Sequence, residues 1–116
     1  MKKAHKASSL LQTLHKLDSD EQKILQVLSV IYITVAQTSL KNVLSHLGWQ
    51  TQQGDLLANM LNGKLKQQWL DAGLVITKAN KIKCAPQIEE ILTRQVQEQG
   101  LYNEINNAAR VHVTEI

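Results

Sequence analysis

The stretch from Leu65 to Cys84 reads LKQQWLDAGLVITKANKIKC. Leu65, Trp69 and Leu70 put apolar groups on one side of a helix, and Gly73 follows as a left-handed cap. Leu74-Val75-Ile76-Thr77 then leads into the polar turn Lys78-Ala79-Asn80-Lys81, and Ile82-Lys83-Cys84 leads out of it. Two short β-prone runs around a polar linker predict a hairpin with basic residues at its tip.

Working outward, Pro86 is well placed for the first position of a helix. Its apolar stripe is Ile88, Ile91, Leu92 and Val96, and Gly100 ends it. Leu101 to Ala109 reads as a further helix, with Leu101, Ile105 and Ala108 on one face. The end, Val111 to Ile116, alternates like a strand. The two C-terminal helices have two equal readings. They pair with a second copy or a protein partner, or they fold back on the N-terminal leucine helix.

Upstream of Leu65, residues 52–72 are read as one long helix with Leu56, Leu57, Met60, Leu61, Leu65 and Trp69 inside. Asn62-Gly63 marks either an interruption of that helix or a break into two. Before it, Leu40, Val43, Leu44 and Leu47 recur at helical spacing, with Gly48 as the stop and Trp49-Gln50-Thr51 as a turn. Ser19, with Gln22 three residues on, predicts a capping box. The helix that follows carries Ile24, Leu25, Val27, Leu28, Val30 and Ile31, so it is central. Val35 begins a short strand that pairs with the hairpin. Leu10, Leu11, Leu14 and Leu17 predict a first helix capped by Ser8 or Ser9, and residues 1–7 form a disordered basic tail.

The bulk numbers bound the rest. At 116 residues the chain forms one domain over residues 8–116, with a core at about 19–97 and a helical extension over 98–116. It lacks a stop signal at its end, which suits the N-terminal fragment of a longer protein. Hydrophobic residues make up 43% but aromatics only 3%, with no Phe, so aliphatic side chains fill the core. One Cys excludes an internal disulfide, which suits a reducing compartment. No apolar run reaches the roughly 20 residues that span a bilayer, and no secretory signal is evident. The expected setting is a cytoplasm, bacterial by expectation, with no membrane partner.

The net charge is +3, and its distribution is uneven. Lys64, Lys66, Lys78, Lys81 and Lys83 lie close together, opposed there only by Asp71. Such a basic centre suits a polyanion. A solvated surface rich in Lys is the equal alternative, since Arg94 and Arg110 are the only arginines.

The order helix, helix, helix, hairpin, C-terminal helices resembles a winged helix-turn-helix domain. Leu40 to Gly48, Leu56 to Trp69 and Gly73-Leu74-Val75 carry the resemblance. The expected fold class is mostly α with a small β-hairpin, a winged helix-turn-helix with extra N- and C-terminal helices. The resemblance implies a DNA-binding, transcription-regulator-like role. Helix 52–72 would read the major groove and the wing would hold the backbone. On that reading Asp55, Asn59, Asn62 and Lys66 lie opposite the inner leucines. The implied binding residues are Gln52, Asn59, Asn62, Lys64 and Lys66 on the helix and Lys78, Lys81 and Lys83 on the wing. Asn pairs with adenine, and Lys reaches phosphate or guanine. Asp55 and the lack of Arg on helix or wing depart from that pattern. The alternative is a winged-helix interaction or accessory module of a larger nucleic-acid-processing or regulatory protein.

Chemistry of other kinds is not signalled. His5, His15, His46, Cys84 and His112 lack metal-ligand spacing. Cys84 reads as a small buried hydrophobe. Glu89-Glu90 and Asp71 read as solvated helix faces, and Trp69 as core. Trp49 is open between packing and partner contact. The expectation is no enzyme, no cofactor, no metal and no small-molecule ligand.

Overall fold

A computed structural model describes residues 10–113; the basic tail, the Ser8 or Ser9 cap and the last three residues lie outside them. The chain is mostly helical with one two-stranded antiparallel sheet. Helical backbone over residues 10–16 forms α1. There follow α2 (Ser19–Ile31), α3 (Gln37–Leu47), a 3-10 turn (Leu57–Met60), α4 (Gly63–Ala72), β1 (Val75–Lys78), β2 (Lys81–Cys84), α5 (Pro86–Glu98) and α6 (Tyr102–His112).

The N-terminus of α2 corrects the capping expectation. Asp18, not Ser19, is the cap, and its Oδ1 accepts the Glu21 N–H at 2.8 Å. A carboxylate at the positive end of a helix is favoured over a hydroxyl by its charge. Gln22 donates to the Leu17 carbonyl rather than to a Ser19 partner. Every residue from Ile24 to Ile31 is buried, as a central helix requires. The helix α5 packs along α2, and α6 packs on both α3 and α2.

Those contacts use the apolar stripes of the C-terminal helices. Ile88, Leu92 and Val96 on α5 and Ile105, Ala108 and Ala109 on α6 are all buried in this core. They cover α2 and α3. The strand expected over Val111 to Ile116 is corrected: Val111 and His112 belong to α6, which runs on against α3.

The hairpin forms where the sequence placed it. Gly73 takes φ 79°, and Leu10 Cδ2 lies 3.3 Å from where a Cβ would stand. The left-handed backbone favours glycine here, and a Cβ would need the Leu10 methyl to give by a few tenths of an ångström. The strands pair Val75 with Cys84, Ile76 with Lys83, Thr77 with Ile82 and Lys78 with Lys81. The connection is corrected from four residues to two. Ala79 and Asn80 alone turn the chain, at φ 52° and 67°. Two positive φ values in a two-residue loop match the twist of the flanking strands. Val35 joins the sheet as a one-residue bridge, exchanging two 2.8 Å hydrogen bonds with Ile82.

The single helix expected over 52–72 is also corrected. Residues 50–56 form a closed loop. Thr51 N–H donates to the Asp55 carbonyl at 2.7 Å, Gly54 N–H to the Thr51 carbonyl at 2.9 Å, and Gly54 holds φ 91°. After the 3-10 turn, Leu61 is extended and Asn62 caps α4, its Oδ1 accepting Leu65 N–H at 2.8 Å. Asn satisfies the orphan donor and competes with helix continuation, and Gly63 adds its conformational freedom.

Candidate nucleic-acid interface

The surface in question is α4 and the hairpin that follows it in contact. Helix α4 buries Trp69 and half-buries Leu65 and Leu70. Trp69 donates its indole N–H to Glu21 Oε1 at 3.1 Å, which ties α4 to the first turn of α2. On the exposed side stand Lys64, Gln67, Gln68 and Asp71. Gln67 donates to Asp71 Oδ1 at 2.9 Å, whereas Lys64 and Gln68 have no side-chain partner among the described residues. Sequence reasoning missed Gln67 and Gln68. Both fall off the Leu65–Trp69 stripe on a helical wheel, a signal that would have found them.

The eight residues singled out earlier separate into groups. Lys64, Lys78 and Lys81 are exposed, and among the described residues they enter no ion pair. Lys66 is half-buried. Asn62 spends its side-chain oxygen on the cap. Gln52 and Asn59 lie elsewhere, lining a pocket with Asp18, Asp20 and Asp55. There Gln52 N–H donates to Asp20 Oδ2 at 3.2 Å and its side chain donates to Ser19 Oγ at 2.7 Å. The expectation that Asp55, Asn59, Asn62 and Lys66 share one outer helix face is therefore corrected. The helix that would align them is broken.

Lys83 turns inward. It is ion-paired with Glu89 at the start of α5 and lies 4.7 Å from the centre of the Tyr32 ring. The side chains of Lys83 and Glu89 are only 21% and 7% exposed. Glu89 thus corrects its reading as a solvated face; Glu90 beside it is exposed. Glu89, Leu92 and Val96 fall at i, i+3 and i+7, a signal that would have set Glu89 on the inner stripe.

At the tip of the hairpin, Lys78 and Lys81 are direct cross-strand partners. Thr77 Oγ1 donates to the Lys81 carbonyl at 3.0 Å and closes the turn. Like charges directly opposite one another on a strand pair repel.

Cys84 is buried, as expected, and its thiol donates weakly to the Leu25 carbonyl at 3.4 Å. Burial pushes this thiol well above its ordinary range; nearby Glu89 adds to the rise and Lys83 opposes it. It is no nucleophile. Trp49 is half-buried with the Lys23 ammonium 5.9 Å from its ring centre. An open groove between the end of α2 and α5 carries Tyr32, Thr93, Arg94 and Tyr102. Among the described residues, no group of three or more His, Cys, Asp or Glu is placed to hold a metal ion. No helix there is long and apolar enough to cross a membrane. His46 and His112, remote in sequence, meet at 3.2 Å.

No protein-family model, curated protein or solved structure matches this chain.

Proposed function

We propose that the chain is a winged helix-turn-helix domain that binds DNA, with α4 in the major groove and the hairpin tip on the phosphate backbone. The paired Lys78 and Lys81 carry this reading. The two lysines are cross-strand partners and, among the described residues, neither is ion-paired; a phosphate is the ligand that relieves their repulsion. The order α2, Val35 bridge, α3, α4, hairpin supports the fold assignment. The connection over residues 48–62 departs from it, being far longer than the about three- to four-residue turn of a helix-turn-helix. From α4, Lys64 and Gln68 reach the base edges, where Gln pairs with adenine and Lys with guanine. A transcription-regulator-like role follows from that placement.

Fluorescence anisotropy on a random duplex, titrated with salt, tests the reading. Binding is expected at about 50 mM salt with micromolar protein, weakening linearly on a log–log plot. Replacing both Lys78 and Lys81 by Ala should flatten that slope by about 1.8 units. No binding at low salt would sink the DNA reading. One observation favours protein docking instead: Ile76 is exposed on β1, a strand paired on one side only. Weaker DNA binding with a flatter salt slope on Lys78/Lys81 replacement, with Ile76→Ser harmless, is the expected pattern.

A further inference from the structure

His46 sits in the last turn of α3 and His112 is the final residue of α6. The packing of α6 along α3 brings His46 Nδ1 to 3.2 Å from His112 Nε2, with the ring planes 74° apart. His46 is exposed and His112 half-buried, so both are reachable from solvent. Neither ring has another hydrogen-bond partner among the described residues.

We propose that this pair is a two-histidine site for a divalent late first-row transition-metal ion such as Zn2+, Ni2+ or Cu2+. Three features carry it. The first is the bite. An ion about 2.0–2.1 Å from each imidazole nitrogen, at a near-tetrahedral angle, holds the two nitrogens about 3.3 Å apart. The pair already stands within that distance, so the ion takes the place of the shared proton after a small rotation of the exposed His46 ring. The second is the field. Both rings lie at helix C-terminal turns, where the aligned peptide dipoles favour a cation. The third is the ligand type, because imidazole suits Zn, Ni and Cu.

The ion completes its coordination with water, so the site is open. Its structural effect is to clasp α6 to α3, the helix along which it packs. Acid competes, because an imidazole must be neutral to ligate. The proposal stands apart from the DNA reading and survives its failure.

The experiment is calorimetric titration of the full chain with ZnCl2 and with NiCl2 in a non-chelating buffer, beside thermal melts with and without EDTA. One ion per chain is expected, with a melting temperature that rises with ion concentration and falls back on chelation. His46→Gln or His112→Gln should weaken binding at least tenfold, whereas His5→Gln and His15→Gln should leave it unchanged. A titration in which His46→Gln binds like the parent overturns the proposal, as does no one-to-one binding at about 0.1 mM ion. Electron paramagnetic resonance of the Cu2+-loaded parent gives a readout independent of the variants. Coupling to two nitrogens is expected, and coupling to one or none overturns the site.

Discussion

Lys83→Met should destabilise the protein far more than replacing either lysine at the hairpin tip. The ammonium of Lys83 is the partner of a Glu89 side chain that is only 7% exposed. Removing it leaves a carboxylate in a nearly dry site at the start of α5. Breaking a buried pair from one side costs about 3–5 kcal/mol, and the partial exposure of Lys83 argues for about 3. Lost cation–π contact with Tyr32 adds about 0.5–1 kcal/mol. With a urea slope near ~1.5 kcal/mol per M, the two losses together should lower the unfolding midpoint by about 2.5 M. Glu89→Met should cost less, about 1 kcal/mol, because Lys83 can extend its ammonium to water. The double replacement Lys83→Met/Glu89→Met should return to within about 1 kcal/mol of the parent, since an apolar pair of similar volume replaces an ionic one. Urea titrations of the four proteins give the cycle. The reasoning is refuted if Lys83→Met costs under about 0.5 kcal/mol, or if the double variant is no better than that single one. In DNA titrations Lys83→Met, where folded, should keep the parent's salt slope.

Ala79 holds a left-handed conformation that L side chains resist. Ala79→Gly removes a penalty of about 1–2 kcal/mol and adds unfolded-state freedom of about 0.4–1, so thermal melts should show a net gain of about 0.5–1 kcal/mol. The Cys84 thiol stays protonated in the folded chain to a higher pH than its ordinary value of 9.0. Below that value both states hold the proton and stability is unaffected. Above it only the unfolded chain releases the proton, so stability falls by up to about 1.4 kcal/mol per pH unit. Comparing urea midpoints at several alkaline pH values with Cys84→Ala should show the extra slope in the parent alone; equal slopes would refute it. Trp69→Phe forfeits the bond to Glu21 and some packing volume, and should cost about 2 kcal/mol in the same assay. No change would mean that α4 is not anchored through that indole.

Where structure follows from neighbours a few residues apart, the chain alone was sufficient. Gly73 predicted its own left-handed cap, because no other residue takes that backbone cheaply. The apolar spacings of α2, α3, α5 and α6 fell on the buried faces. Val35, set before the third helix, pairs with the hairpin as anticipated. Local competition was harder to weigh. Leu56, Leu57, Met60 and Leu61 are spaced as on a helix, yet Gly54 and the Asn62 cap offered the backbone better-satisfied alternatives. That one break redistributes the candidate site, sending Gln52 and Asn59 to an acidic pocket and bringing Gln68 to the outer face of α4.

Charge and ligation were only partly open to local reading: spacing could have put Glu89 on the inner stripe of α5, but not its pairing with Lys83. A lysine on a strand and a glutamate on a helix each look solvated until the turn from β2 into α5 brings them into an ion pair. Two histidines separated by most of the chain become neighbours only when α6 docks on α3. The periodicity of side chains determined which faces are apolar. Only tertiary packing decided which polar groups are desolvated and paired, because that energy depends on contacts between elements and not on spacing within them.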